Sequence, residues 1–378
     1  MSEGASTEIA SPLTAVAIQH PEKTYYLGQV FNNTTNSYKL LWFLAILQML
    51  RRRPAQAYPL SDILTEMVVT AWHPVCLFRL SLGRQDKLQD AVIQIQVQSK
   101  LAPAEDPAAV RQFVGTSPNA QARLAGFSRY VPTRFLTPWF ADKLRGEMDN
   151  KRERLIPDLA LVSQKTPGAT PYWFDADSIR LNESWTTFLV DNMAIVQAFA
   201  EHHLALYLQA RNPNVPGVVN KLRAPTRRQL STARQFWHSV RIDLAKAGHP
   251  ERFQDIYSQQ PLGDSFAVDH FLPWSFVVHD LIWNLSPVAP STNSSKNDGL
   301  PALHIYLPRL VKLHFEAINV ARKRPQHLED YTECFQMDTE GLLALGVDGL
   351  TAKYQAVMAP QAQIAINQGF QSGWVLRN

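Results

Sequence analysis

The chain has 378 residues, 46% hydrophobic and 19% charged, with 18 Phe, 11 Tyr and 9 Trp; this excludes a disordered or collagen-like polymer and is more than one ordinary domain needs. Its two cysteines, Cys76 and Cys334, lie far apart in sequence, so neither a disulfide framework nor a Cys-x-x-Cys zinc site can be built from them, and a reducing cytosol is the expected compartment. The net charge of +4 conceals +6 over residues 221–324 and −4 over 325–378, so a polyanion such as nucleic acid is drawn to the third quarter, the alternative being a solvated basic face.

The first residues, MSEGASTEIASPLTA, lack the basic start and apolar core of a signal peptide. The most apolar run, Leu40 to Leu50, spans 11 residues, too few for a bilayer, and predicts a buried helix capped within Asn33 to Asn36 and ending at Arg51–Arg53, where cations suit the helix dipole. Ser61 is expected to cap a second helix, SDILTEMVVTAWH, that stops before Pro74. Residues 84–99 read as a third, although IQIQVQ also alternates like a strand. RYVPTRFLTPWF, residues 129–140, is an irregular stretch pinned by aromatics, and QKTPGATP at 164–171 is an exposed loop or boundary. A long helix from about Ser184 to Gln209 follows, apolar enough to organise the boundary between lobes. The expected division is a mainly helical recognition or docking lobe over 1–205, a catalytic domain over 206–330, and an acidic extension over 331–378.

The second lobe opens basic and aromatic, with Arg223, Arg227, Arg228 and Arg234 near Phe236 and Trp237. Within it, AVDHFLPWSFVVHDLIWNLSPVAPSTNSSKNDGLP occupies residues 267–301. Ser265 to Val268 reads as a short strand delivering Asp269 and His270 to its end, and Asn284 to Val288 as its partner. Ser291 or Thr292 then caps a helical turn that carries Asn293 and Lys296 on one face. Phosphodiester hydrolysis needs a base for water, and imidazole, with an ordinary pKa of about 6.5, suits that role in His270. A hard cation takes oxygen ligands, which Asp269 and Asn293 supply. Asn284 fixes the loop that aims His270, and Lys296 can meet a phosphate or developing negative charge. His279-Asp280 forms a rival pair nine residues on, ranked behind His270 because a strand end holds its side chain more firmly. Trp274 and Trp283 are expected in the small lobe's core, and adjacent His202 and His203 cannot share a helix face as metal ligands. Arg322 and Lys323 follow an amphipathic stretch, LPRLVKLHFEAINVA, as phosphate contacts or as cations at a helix C-terminus.

In Asp269-His270, Asn284, Asn293 and Lys296 the sequence resembles the HNH nucleases, which share a ββα-metal fold; here the third position is Asn, in an Asn-Ser-Ser-Lys variant. The resemblance implies an α+β protein, a helical N-terminal lobe followed by a C-terminal ββα-metal unit with its core motif at 265–301. It implies an endonuclease that cuts DNA with Mg²⁺ or Mn²⁺, with catalytic His270, Asn284 and Lys296, metal ligands Asp269 and Asn293, and DNA contacts from Arg223, Arg227, Arg228, Arg234, Lys296, Arg322 and Lys323. The cysteine pairs that brace many such domains with zinc are absent, so no structural zinc is expected. NTTNSYKLLWFLAIL, RYVPTRFLTPWF and YLQARNPNVPGVVNKL further resemble a bacterial group of HNH-containing proteins, which implies genome defence or mobile-element biology. Two settings follow from that resemblance: a free nuclease acting on double-stranded or locally unwound DNA, and the large subunit of an RNA-guided CRISPR surveillance complex that cuts after recruitment, its N-terminal lobe docking a guide-RNA and protein assembly. A cytoplasmic protein without a membrane contact is expected in either, and a DNA-binding pseudo-nuclease is the remaining rival.

Overall fold

The computed structural model describes residues 12–32, 34–166, 168–225 and 230–377. The chain forms two compact units, one of Met1–Pro213 with Val218–Ala224, the other of Asn214–Gly217 with Pro225–Asn378.

The first unit is built on the Tyr38–Arg52 helix, buried from Leu40 to Leu47 and packed by the Leu60–Trp72, Val131–Phe135 and Met193–Arg211 helices. A helix apolar all round must be enclosed, which is why it forms the centre. Its cap position is Ser37 rather than Asn33 to Asn36, of which Asn33 lies outside the described residues. Ser37 gives both its backbone N–H and its hydroxyl to Asp86 Oδ2, at 2.8 and 2.7 Å. The other Asp86 oxygen accepts from Leu88 N at 3.0 Å, capping Lys87–Ser99 and deciding the ambiguous IQIQVQ run for helix. Ser61 is not a cap: the second helix starts at Leu60 after Pro59, and beyond Trp72 the chain continues through a five-residue π turn, His73–Leu77.

The helix expected over 184–209 is two helices, Glu183–Asp191 and Met193–Arg211. Asn192 breaks it at φ −111° and ψ 21°, its amide donating to Phe188 O at 2.9 Å, a local bond that competes with helix continuation. A small antiparallel sheet, with Ser178–Leu181 between Ala57–Pro59 and Tyr172–Asp175, also belongs to this unit.

In the second unit the Ser231–Lys246, Leu303–Ala321 and Gly346–Asn367 helices share one core with a two-stranded hairpin, Ala267–His270 against Leu285–Val288. The acidic C-terminal segment is part of that core, burying Tyr331, Phe335, Leu350, Tyr354 and Met358. Beyond the Gly346–Asn367 helix the chain returns to the stretch after the Pro290–Lys296 helix: Leu300 N donates to Gln371 O at 2.8 Å and Ala302 N to Trp374 O at 3.0 Å. Among the described residues no helix is long and apolar enough to cross a membrane.

Candidate active site

The two strands pair with Asp269 opposite Ser286 and His270 opposite Leu285. Phe271 then leaves the hairpin, and the chain returns through Asn284. Asn284 closes that loop at its neck, its Oδ1 accepting from Leu272 N at 2.9 Å, its amide donating to Leu272 O at 3.0 Å, and its own carbonyl accepting from Phe271 N at 2.8 Å. A side-chain amide thus pairs with a peptide group as a strand would, in full burial, where such bonds hold best.

Asp269 is 4% exposed. Its Oδ1 accepts from Lys296 Nζ at 3.1 Å and its Oδ2 from the Tyr257 hydroxyl at 2.8 Å. Lys296 Nζ also donates to the His270 carbonyl at 2.6 Å, so one cation ties the strand end to the Pro290–Lys296 helix. At 2% exposure its charge faces Asp269 rather than solvent, and it presents no surface to a duplex. That helix starts with Pro290 after Ala289, not with a Ser291 or Thr292 cap. Asn293 lies one turn before Lys296, partly exposed, its N–H inside the helix ladder.

Tyr257 comes from a tight loop braced by Asp255, which accepts from Tyr257 N at 2.8 Å and, with its second oxygen, from Ala289 N at 2.9 Å. Burial, then the charge of Asp269, pushes the Tyr257 phenol well above its ordinary range, so it stays a donor. His270 is buried, and its Nε2 meets Asp280 Oδ1 at 2.8 Å. Asp280 follows Val278, a β-branched residue at φ 52°, a strained position held by its surroundings. Two residues on, Ile282 N donates to Asp330 Oδ2 at 2.7 Å.

The structure therefore brings Asp269, His270, Asn284 and Lys296 together, with Asn293 on the adjoining helix. Trp283 is buried in this unit's core, while Trp274 is partly exposed. The basic residues are dispersed. Arg223 belongs to the first unit, where it pairs with Glu201; Arg227 and Arg228 lie outside the described residues. Arg234 is exposed on Ser231–Lys246, and Arg322 and Lys323 are exposed at the end of Leu303–Ala321. Sequence reasoning missed Tyr257, Asp255 and Asp330, which act through tertiary contacts, and treated Asp280 as half of a rival pair rather than as the neighbour of His270.

A family model described as HNH endonuclease matches residues 255–302. No curated protein and no solved structure matches the chain significantly. The span of the match begins at the Asp255 brace and ends beyond the helix that carries Asn293 and Lys296. Residues 255–302, a hairpin and helix closed around Asp269 and His270, form a domain of the HNH endonuclease type.

Proposed function

We propose that the chain is a metal-dependent endonuclease that hydrolyses DNA phosphodiester bonds, with His270 as the general base. The observation that carries this reading is the adjacency of a buried carboxylate and a buried imidazole at one strand end, beneath the helix that bears Asn293. His270 takes a proton from water as the water oxygen bonds to phosphorus; the P–O3′ bond breaks, and the leaving oxygen acquires its proton from solvent.

Each Asp269 oxygen accepts one hydrogen bond and keeps a second lone pair. Together with the Asn293 amide oxygen this is a donor set for Mg²⁺ or Mn²⁺, hard cations that take oxygen ligands and retain waters. Among the described residues no group of three His, Cys, Asp or Glu is placed to hold a metal. The bound ion would supply charge stabilisation at the phosphate. Lys296 compensates the buried Asp269 charge, Asn284 holds the loop neck, and Arg234, Arg322 and Lys323 supply exposed cations for the phosphate backbone. The wider resemblance to bacterial HNH proteins supports a role in prokaryotic genome defence.

A plasmid-nicking assay tests the reading. His270→Ala should lower the cleavage rate by about 10²–10⁴ with DNA affinity unchanged, and EDTA should abolish cutting until Mg²⁺ or Mn²⁺ is restored. Near wild-type cutting by His270→Ala, with loss in His279→Ala, would move the base; cutting as fast in EDTA would remove the metal.

A further inference from the structure

We infer that Asp280 is a positioning residue for the catalytic imidazole: it accepts from His270 Nε2–H and so leaves Nδ1 as the nitrogen that takes the proton from water. The inference rests on the reading of His270 as the base and deepens it.

The geometry is a 2.8 Å contact between His270 Nε2 and Asp280 Oδ1, made by an imidazole whose side chain is 5% exposed and a carboxylate that is 28% exposed. A buried ring nitrogen needs a partner, and the hydrogen bond made by one nitrogen sets the protonation of the other. Asp280 does not reach the ring by chance of a loose loop. Asn284 pins the loop neck at Leu272, Asp330 pins Ile282 N, and Val278 at φ 52° turns the chain between them. From the other side Lys296 Nζ holds the His270 carbonyl. The residue is thus fixed at its backbone by a cation from the helix and at its ring by an anion from the loop. Asp330, in the first turn of the Glu329–Phe335 helix, belongs to the same chain of contacts.

Because Asp280 touches neither phosphate nor water in this role, its loss should appear in turnover rather than in binding. In the full-length protein, Asp280→Ala should lower kcat about 10–100-fold, the scale of losing a partner that orients a functional histidine, with KM for duplex DNA within about twofold. Asp280→Glu, which keeps the carboxylate, should recover at least about tenfold over Ala. Two-bond ¹H–¹⁵N correlation of ¹⁵N-histidine-labelled protein, with the His270 signals assigned by their loss in His270→Ala, should show the Nε2–H tautomer in wild type and a mixture in Asp280→Ala. The inference is overturned if Asp280→Ala cuts as fast as wild type or faster, which would make Asp280 a plug over the base. It is equally overturned if the wild-type ring is the Nδ1–H tautomer, which would leave the nitrogen facing Asp280 without a proton to donate. Undiminished cutting by His270→Ala would instead sink the base assignment, and the tautomer would still decide whether Asp280 orients the ring.

Discussion

Lys296 serves two acceptors at once, Asp269 and the His270 carbonyl, from a buried position. Truncating it leaves a buried carboxylate without its cation, and breaking such a pair costs about 3–5 kcal/mol. Lys296→Met should therefore lose stability on that scale in urea denaturation, and Lys296→Met with Asp269→Asn should recover most of it. An unchanged midpoint in the single variant would show that the pair contributes nothing. A second buried group makes stability depend on pH. His314 packs its Nδ1 against the Tyr331 hydroxyl at 2.7 Å, and burial pulls its pKa from 6.5 down to about 3, the Leu285 backbone offsetting part of the effect. Between those pH values the unfolded chain binds a proton that the folded chain refuses. Stability from this group is thus complete above about pH 6.5 and falls toward pH 3, by about 1.4 kcal/mol per pH unit. His314→Asn should flatten that slope relative to wild type in denaturation series at pH 7 and pH 4.5, and parallel slopes would refute the assignment.

Among elements, the hairpin and its helix were legible in the sequence because Asp269, His270, Asn284 and Asn293 are chemically conspicuous and locally spaced. The break at Asn192 was less so, because it depends on one amide returning to Phe188 O within an otherwise periodic run. The three-stranded sheet escaped because its strands are three or four residues long and Ala57–Pro59 finds its partner only in the distant Ser178–Leu181. Asp280 escaped for a related reason, since its meaning lies in a contact that the folded loop creates. The packing of the Gly346–Asn367 helix on Leu303–Ala321 carries a prediction of its own. It buries Leu350, Tyr354 and Met358, the Leu and Met each worth about 1.5–3 kcal/mol in burial, against a whole-domain margin of about 5–15 kcal/mol. A chain ending at residue 330 should lose cooperative unfolding of the nuclease unit and become protease-sensitive there; a protected fragment with a sharp transition would contradict the packing.

At the scale of the molecule, folding redistributes the charge that the linear sequence displays. The unit holding the nuclease domain carries 14 basic and 14 acidic side chains, because the basic run and the acidic C-terminal segment fold together, while the other unit carries 23 against 19. The nuclease unit therefore offers a duplex local cations but no net field. A hairpin and a seven-residue helix are also too little surface to read a long sequence. Target selection is thus expected from the first unit or from a partner that it binds. Fluorescence anisotropy on random duplex between 50 and 200 mM salt should show a steeper loss of affinity for the full chain than for residues 225–378. Equal slopes, or one defined cleavage sequence retained by residues 225–378 alone, would place recognition in the nuclease unit.

The bonds from Leu300 to Gln371 and from Ala302 to Trp374 also set an order of events during synthesis. The HNH domain emerges from the ribosome with its exit segment unpaired, and its partners follow roughly 70 residues later, a delay of several seconds at about 5–20 residues per second. Until then the N–H groups of Leu300 and Ala302 have only water, and the helix that carries Asn293 and Lys296 lacks its downstream anchor. The HNH domain thus completes its pairing only after Trp374 has been made, and a nascent chain stalled before Gln371 holds the sequence of the site without its finished architecture.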